Sequence, residues 1–258
     1  PPRGFYPAVV TLPRRLTALL LSALLFAPAP DAWAQSSGSS APAVVLDIPE
    51  TFGHPLWDSS VVSRLVNQGY LAPGFEFTTP DRACSAGYMA RTAEGETVMV
   101  TAGHCGLVDQ PVYVTRDGEK KPVGTVIHSE FSADNSADDV GIVRLTSPGD
   151  VSPRLAGEHA VTGILSLEEV QELRPELCRF GARSGLSCGE YLGMHDGKIL
   201  FSNIARPGDS GGPVLARVDG HYLAVGVTSW MVDGSLPVVA AQPLGEILEE
   251  HDLRLMRG

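Results

Sequence analysis

The sequence predicts an all-β fold, and three features carry this prediction. From about residue 75 onward the apolar runs are short and separated by turn residues, with a spacing of roughly 8–12 residues. Acidic-glycine pairs stand between several of these runs, as they do in hairpins. The runs do not alternate with long helical patterns, which a β/α fold would require. We therefore expect a sandwich or barrel of antiparallel strands.

The strands can be placed in order along the chain. GYMARTAEGE (87–96) and TVMVTAGHC (97–105) form a predicted hairpin around Glu94 and Gly95. Further strands are expected at residues 112–115, 123–129 and 139–145.

The second half of the chain continues this pattern. Two later hairpins are predicted to turn at His195-Asp196-Gly197 and at Asp219-Gly220. Apolar positions within residues 244–255 predict a C-terminal helix packed on the body.

The first 34 residues have the pattern of a targeting segment. Arg14 and Arg15 precede a twelve-residue apolar run (16–27), and Ala32-Trp33-Ala34 follows. This order is typical of a secretory signal peptide cleaved near Ala34, so we expect a secreted protein. A transmembrane anchor is the alternative, but twelve helical residues span only about 18 Å of a hydrocarbon core about 30 Å thick. Residues 35–74 are expected to be a linker or a short pro-segment.

Charge and cysteine content narrow the class of protein. The net charge is −11, which disfavours partners such as nucleic acid or an anionic membrane surface. An even number of cysteines in an exported chain suggests two disulfides, and sequence order favours Cys84–Cys105 and Cys178–Cys188 among the three pairings. Metal binding by these cysteines is disfavoured because no Cys-x-x-Cys spacing occurs.

One serine stands in a glycine-rich setting, RPGDSGGP (206–213). The hydroxyl of Ser210 would become a nucleophile if a base took its proton and a further group held that base. Acyl transfer also needs N–H donors for an oxyanion, and Gly208 can turn its N–H outward. The stretch therefore predicts a nucleophile at Ser210 and an oxyanion hole formed by the N–H groups of Gly208 and Ser210.

A base and an acid occur in suitable places. His104 ends the apolar strand VTAGHC (100–105), and acidic residues open the strand ADDVGIVRL (137–145). A carboxylate there could fix the histidine tautomer and stabilise the imidazolium. Asp138 and Asp139 compete for this role.

TAGHC, DVGIVRL and GDSGGP, in this order, resemble the chymotrypsin-like serine proteases, whose triad runs His, Asp, Ser along the chain. CRFGARSGLSCG resembles the bacterial secreted branch of the streptogrisin and α-lytic protease type. The resemblance covers roughly residues 75–258 and implies two packed antiparallel Greek-key β-barrels, about 75–150 and 155–258, with a C-terminal helix. It implies Ser210 as nucleophile, His104 as general base and acid, and Asp139 as orienting carboxylate. The residues after the acid match the family pattern when the acid is taken as Asp139, and they do not match it when the acid is taken as Asp138.

The resemblance also gives Asp209 a structural role. In the bacterial branch the residue before the nucleophile pairs with an arginine that directly follows a cysteine. Arg179 follows Cys178 here, so we predict a buried Arg179–Asp209 ion pair. No Ile-Val-Gly-Gly start occurs near residue 75, which agrees with activation that needs no new amine.

By the same resemblance, two segments wall the primary specificity pocket: Ile204, Ala205, Arg206, and Ser229, Trp230, Met231. No acidic residue lies at the pocket floor, so a preference for Arg or Lys is not expected. Met231 stands where many relatives have glycine, which implies a narrow pocket for small or medium apolar residues. The Arg206 side chain is expected to point to solvent, with the pocket as the alternative.

These features predict a secreted serine endopeptidase that hydrolyses polypeptides through an acyl-enzyme. A catalytically silent binding module on the same fold is the alternative, although such proteins usually lose a triad residue, and none is lost here. An esterase with the same triad is a third reading. An α/β-hydrolase is disfavoured because its serine precedes its acid and its histidine. We expect no cofactor, no essential metal and a monomer.

Overall fold

The computed structural model describes residues 70–132, 138–157, 159–232 and 237–258. The predicted signal peptide lies outside these residues, as does the predicted linker up to residue 69. No helix in the described ranges has the length and apolar character needed to cross a membrane.

The described strands form two sheets, with a short helix after the first strand of the second sheet and another near the C-terminus. The first sheet contains β1 (Glu76–Thr78), β2 (Ala83–Ser85), β3 (Tyr88–Arg91), β4 (Thr97–Thr101), β5 (Pro111–Arg116), β6 (Glu119–Glu130), β7 (Val140–Leu145) and β15 (Arg254–Leu255). The second contains β8 (Val161–Ile164), β9 (Glu176–Gly181), β10 (Gly185–His195), β11 (Lys198–Ser202), β12 (Pro213–Val218), β13 (His221–Val232) and β14 (Val238–Pro243). The helices are α1 (Leu167–Leu173) and α2 (Leu244–Glu250).

The six central strands of each sheet follow the same cyclic order, although the two orders below begin at different strands. The second runs β12-β9-β10-β11-β14-β13 and closes into a six-stranded barrel because β12 also pairs with β13. The first runs β3-β4-β7-β6-β5-β1, with β15 and β2 at its edges, and forms a half-barrel among the described pairings. The predicted all-β fold of two antiparallel Greek-key units with a C-terminal helix is confirmed, with the difference that the hydrogen-bond ladder of the first unit stays open.

Three hairpins turn on an Asp-Gly pair, at Asp117-Gly118, Asp196-Gly197 and Asp219-Gly220. Both residues of each pair have positive φ, 46–53° at the aspartates and 74–80° at the glycines, which is the type I′ geometry of two-residue hairpins. The last two were predicted, and so was the hairpin between β3 and β4. The first was missed, so β6 begins at Glu119 rather than at the predicted residue 123.

The C-terminal segment differs from the prediction of one helix over residues 244–255. α2 buries Leu244, Ile247 and Leu248 and ends at Glu250. Asp252 then takes a positive φ of 48°, which turns the chain out of the helix. Arg254–Leu255 pairs with β3 as the edge strand β15.

α1 was not predicted, although its start carries a sequence signal. The hydroxyl of Ser166 accepts the N–H of Glu169, and the Glu169 carboxylate accepts the N–H of Ser166. This capping box satisfies two of the N–H groups that a helix start leaves unpaired.

The chain between residues 70 and 74 already packs on the body of the protein. Leu71 and Ala72 are buried, and Leu71 exchanges backbone hydrogen bonds with Asp150 and Ser152. Gly74 has a φ of 92°, and a Cβ there would overlap the ring of Phe180. The start of the described chain therefore contacts both the first unit and strand β9.

Candidate active site

His104 and Asp139 meet where β4 ends and β7 begins. These two strands are paired, and the one-turn 3-10 helix Gly103–Cys105 follows β4. Nδ1 of His104 lies 2.9 Å from Oδ2 of Asp139, and the backbone N–H of His104 donates to Oδ1 at 3.0 Å. A Cβ on Gly103 would overlap the carbonyl oxygen of Glu130, so glycine is needed for this turn to lie against β6. The two carboxylate oxygens thus hold both the ring and the backbone of His104.

Asp139 is buried and ionised. Burial alone would raise its pKa, but the His104 ring, the Ser229 hydroxyl and the His104 backbone N–H hold the pKa of Asp139 below its ordinary value. The Ser229 hydroxyl donates to Oδ2 at 2.5 Å. The ionised acid therefore fixes Nδ1 of His104 as the donor and leaves Nε2 for proton transfer.

Asp138, the competitor for this role, faces a different partner. Its side chain is exposed, and Oδ1 accepts the side-chain N–H of Gln242 at 3.0 Å. The Oε1 atom of Gln242 in turn accepts the backbone N–H of Asp139 at 3.2 Å. Gln242 lies on β14 and is 1 % exposed, so this buried amide from the second barrel holds the two neighbouring aspartates in different orientations.

The loop that carries Ser210 packs against the end of β4. The carbonyl oxygen of Ser210 accepts the N–H of Ser85 at 2.8 Å and lies 3.8 Å from Sγ of Cys105, the neighbour of His104. Gly211 has a φ of 79°, and a Cβ there would overlap the Thr101 side chain. The Ser210 hydroxyl makes no hydrogen bond with His104 in the described chain. Catalytic hydrogen bonds are often long without substrate and tighten when it binds.

The residues before Ser210 form a tight turn that exposes N–H groups. Asp209 N–H donates to the Arg206 carbonyl at 2.9 Å, and Gly208 has a φ of 103°. Proline at the second position and glycine at the third are typical of a type II turn. The N–H groups of Gly208 and Ser210 donate to no acceptor within residues 70–132, 138–157, 159–232 and 237–258, whereas that of Asp209 does. Two free donors on one partly exposed loop can stabilise an oxyanion.

The side chains of Arg179 and Asp209 meet below this turn. Nη1 of Arg179 lies 3.2 Å from Oδ2 of Asp209, and both side chains are 0 % exposed. The Nη1–H group is not aligned for a hydrogen bond, so this contact is ionic. Burial lowers the pKa of Arg179, and the Asp209 charge opposes that effect. Nη2 donates to the Ser184 hydroxyl and to the Ile204 carbonyl.

Asp209 also accepts hydrogen bonds from the segment after β9 and from the turn itself. The backbone N–H groups of Arg183 and Ser184 donate to Oδ1 at 2.9 and 3.1 Å. The Arg206 N–H donates to Oδ2 at 2.7 Å. A Cβ on Gly181 would lie 2.5 Å from Arg179 Nη1 and would overlap Asp209 Oδ1. Gly181 leaves the space that the ion pair occupies.

The predicted pocket residues occupy both sides of the Ser210 loop in the second barrel. Ala205 is buried, Ile204 is 37 % exposed and Arg206 is exposed to solvent. On β13, Trp230 and Met231 are partly buried, and Met231 packs against the hydrophobic core of the second barrel. The hydroxyl of Ser229, the third predicted pocket residue on this strand, donates to Asp139.

Both disulfides join neighbouring elements. Cys84–Cys105 connects β2 to the His104 turn, and Cys178–Cys188 connects paired residues of β9 and β10. The described residues contain two clusters of three metal-ligating side-chain types, and each includes a disulfide. Disulfide sulfurs are not thiolates, so these clusters offer no cysteine ligand.

Sequence reasoning missed several residues that support the site. Gln242 lies on β14, far in sequence from Asp138 and Asp139, whereas Gly181 and Ser184 lie within the CRFGARSGLSCG segment but received no role of their own. Ser85 is another: its hydroxyl donates to the Gly208 carbonyl at 2.8 Å and accepts the Ala182 N–H at 2.9 Å. No local pattern identifies such contacts, because each depends on the packing of distant strands.

Comparison with known proteins gives relatives of one kind. No family model matches the chain. Serine protease 2 of Streptomyces fradiae is 27% identical over 161 residues, which are 57% of this chain and 85% of that protein. Thermobifida fusca protease A has 28% identity and a TM-score of 0.59 over 73% of this chain and 100% of its own. Nocardiopsis protease has 27% identity and a TM-score of 0.57, and the match covers 72% of this chain and 98% of that protein.

Proposed function

We propose that this chain, a chymotrypsin-like serine protease of the bacterial type, is a secreted endopeptidase that works through Ser210, His104 and Asp139. The observation that carries the proposal is the pair formed by His104 and the buried Asp139, 2.9 Å apart beside the Ser210 loop. A histidine held in one tautomer by an ionised acid is the base that a serine nucleophile requires.

The reaction would begin with proton transfer. Nε2 of His104 takes the proton of Ser210 while Oγ attacks the substrate carbonyl carbon, and the carbonyl oxygen becomes an oxyanion held by the Gly208 and Ser210 N–H groups. Asp139 stabilises the imidazolium that forms. His104 then gives its proton to the leaving nitrogen, the C–N bond breaks and an acyl-enzyme remains. Water, deprotonated by His104, attacks this ester, and Ser210 recovers its proton as the acid product leaves.

The proposal includes an oxyanion hole that needs no activation by a new amino terminus. Arg179 supplies the positive charge beside Asp209 from within the folded chain. The secretion that we propose agrees with the two disulfides, which form and persist in oxidising compartments.

Fluorophosphonate labelling of the purified chain, with the modified peptide mapped by mass spectrometry, tests this function. We expect one label per chain on Ser210, absent in Ser210→Ala and strongly reduced in His104→Gln. His195→Gln is the matched control, because this histidine is 62% exposed in a hairpin of the second barrel. If folded, disulfide-bonded protein fails to react, the catalytically silent binding module becomes the better reading.

We also propose that the enzyme cuts after small or medium apolar residues. Ala205 is small and buried, and Met231 brings an apolar side chain to the other wall. Arg206 is exposed to solvent, so the pocket wall at this position carries no buried charge.

A peptide library read by mass spectrometry tests this preference. We expect cleavage after Ala, Val or Leu, and a shift towards larger apolar residues in Met231→Gly, since removing the side chain widens the pocket. Cleavage after Arg or Lys in the parent enzyme would overturn the assignment.

A further inference from the structure

Gln242 connects the second barrel to the start of β7, where the orienting carboxylate lies. It belongs to β14 and is 1 % exposed. Its Oε1 atom accepts the backbone N–H of Asp139 at 3.2 Å, and its Nε2 atom donates to Oδ1 of Asp138 at 3.0 Å. In the described part of the chain these are the only hydrogen bonds of the amide. The two polar ends of one buried side chain therefore bind two consecutive aspartates.

Asp139 lies one residue before β7, so strand pairing does not fix its backbone. The pairing of β7 with β6 begins at Val140. The second barrel holds Asp139 at two points. Ser229 of β13 donates its hydroxyl to the carboxylate, and Gln242 of β14 accepts the backbone N–H. Because β13 and β14 are paired with each other, the position of this acid depends on how the second barrel meets the first.

The two contacts of Gln242 require the same orientation of its amide. A carboxylate oxygen can only accept a hydrogen bond, and a backbone N–H can only donate one. If the amide were turned over, its NH₂ group would face the Asp139 N–H and its oxygen would face the Asp138 carboxylate. Asp138 therefore selects the orientation that presents Oε1 to Asp139.

We propose that Gln242 is a positioning residue for Asp139, and that Asp138 acts through Gln242 by fixing its amide. The inference rests on the proposed function, in which Asp139 holds the base His104. The amide keeps the Asp139 backbone in place, so that the two carboxylate oxygens stay aimed at the ring and the backbone N–H of His104, at 2.9 and 3.0 Å. A displacement of about 1 Å far from the reacting atoms can slow catalysis by about 100-fold.

The charges around Gln242 are negative, which favours a neutral amide at this position. Asp138 and Asp139 face the amide. On α2, burial and the charges of Asp138 and Glu168 raise the pKa of Glu246. Glutamine satisfies both aspartates without adding another charge, whereas a buried carboxylate in the same place would be disfavoured by burial and by its like-charged neighbours.

Gln242→Met tests the proposal, because methionine has a similar length and makes neither hydrogen bond. We expect kcat on a peptide amide to fall by about 10- to 100-fold. KM should change little, since the Gln242 side chain makes no hydrogen bond to a predicted pocket residue in the described chain. Fluorophosphonate labelling of Ser210 should slow as well. A parent-like kcat, or a rise in KM alone, overturns the proposal.

Gln110 offers a matched control with the same hydrogen-bonding pattern. Its Oε1 atom accepts the N–H of Leu107 at 3.0 Å, and its Nε2 atom donates to Asp81 at 3.0 Å. Both contacts are exposed, and neither includes a triad residue. Gln110→Met should therefore keep the kcat of the parent. If kcat falls equally in Gln110→Met and Gln242→Met, the effect is not specific to the Asp139 contact and the proposal is overturned.

Gln242→Glu separates positioning from folding. When protonated, the introduced carboxyl has an O–H that can donate to Asp138 and a carbonyl oxygen that can accept from Asp139, as the amide does. When ionised, it loses the donor and adds a negative charge. Burial and the neighbouring carboxylates raise its pKa, so the proton stays bound at lower pH. The kcat of this variant relative to the parent should therefore fall as the pH rises.

Urea unfolding at each pH identifies the range in which both chains are folded. A relative kcat that stays constant or rises with pH within that range overturns the proposal. For Asp138, the Asp138→Ala variant should lower kcat by less than Gln242→Met does, and Asp138→Asn should restore most of that loss because its Oδ1 atom can still accept the amide N–H. A parent-like kcat in Asp138→Ala removes the role of Asp138.

A spectroscopic measurement does not depend on proteolysis. In a Ser210→Ala background, the proton NMR signal of the N–H between His104 Nδ1 and Asp139 reports their alignment. We expect this signal to shift in Gln242→Met and to stay in place in Gln110→Met, and an unchanged signal in both overturns the inference. Failure of the parent chain to label at Ser210 overturns the proposed function. Labelling of the parent and of Gln242→Met at equal rates overturns only the positioning role.

Discussion

Arg179 and Asp209 form an ion pair with no exposed surface, with 3.2 Å between Nη1 and Oδ2. Arg179 lies on β9 and pairs in register with Val214 of β12, the strand that follows the Ser210 loop. Asp209 also accepts the Arg206 N–H within the turn that exposes Gly208. The barrel core thus sets the shape of the predicted oxyanion loop through one buried charge pair.

Replacing Arg179 with Met should destabilise the protein and open this loop. The variant leaves the Asp209 carboxylate buried without its counter-ion, which costs about 3–5 kcal/mol of unfolding free energy. Urea unfolding measures this loss, and the rate of fluorophosphonate labelling should fall with it. Arg183→Met is the matched control, because its ion pair with Glu76 is partly exposed and worth at most about 1 kcal/mol. Equal losses in both variants would contradict a special role for the buried pair.

Gly181→Ala should be strongly destabilising although a single methyl group is added. The new Cβ would lie 2.5 Å from Arg179 Nη1 and overlap Asp209, so the ion pair must move. We expect a loss of about 1–3 kcal/mol, as for overpacked cores, together with loss of labelling. Gly245→Ala has no atom within 4 Å of its added Cβ and lies in α2, so it should gain up to about 0.5–1 kcal/mol. Thermal unfolding of the two alanine variants compares them directly.

The stability contributed by Asp139 should depend on pH in the acid range. The pKa of Asp139 in the folded protein lies below its ordinary value, so ionised Asp139 stabilises the fold above the unfolded pKa of about 3.9. This contribution disappears as the pH falls through the lower, folded pKa. In a Ser210→Ala background, the urea midpoint of the parent should therefore exceed that of Asp139→Asn most above about pH 5. The two midpoints should converge in acid.

Asp138→Asn is the control for this series, because that side chain is exposed. Its urea midpoint should follow that of the parent at every pH. With Ser210 intact, Asp139→Asn should lower kcat by about 10⁴-fold because the amide no longer fixes the histidine tautomer. If the urea midpoint of Asp139→Asn lies below that of the parent by the same amount at every pH, the ionised carboxylate is ruled out as the source of the stability difference.

Removing either disulfide should lower the free energy of unfolding by a similar amount, but the two variants should lose activity to different extents. Their sequence separations of 21 and 10 predict losses of about 3 kcal/mol for both from loop closure. The Cys84→Ala/Cys105→Ala variant also frees the residue next to His104, whereas the Cys178→Ala/Cys188→Ala variant removes a link between strands already paired. We expect kcat/KM on a peptide substrate to fall more in the first variant, and the opposite order would count against this account.

The hairpins were predictable because their signals are local. Asp196-Gly197 and Asp219-Gly220 favour positive φ wherever they occur, and the third such pair, Asp117-Gly118, carries the same signal. The Ser166–Glu169 capping box is equally local. The end of the chain was harder, because Arg254–Leu255 becomes a strand only by pairing with β3, more than 160 residues earlier.

The sequence by itself was sufficient to predict the chemistry. A histidine after an apolar strand, an acid before another and a serine among glycines predict a base, an orienting acid and a nucleophile, since few other residues could serve those roles. Tertiary structure alone decided which groups support them. Gln242 binds the Asp138 carboxylate and the Asp139 backbone N–H, the Ser229 hydroxyl donates to Asp139, and the His128 ring contacts the His251 ring. Each contact depends on the approach of strands distant in sequence, and no local preference of the chain encodes that approach.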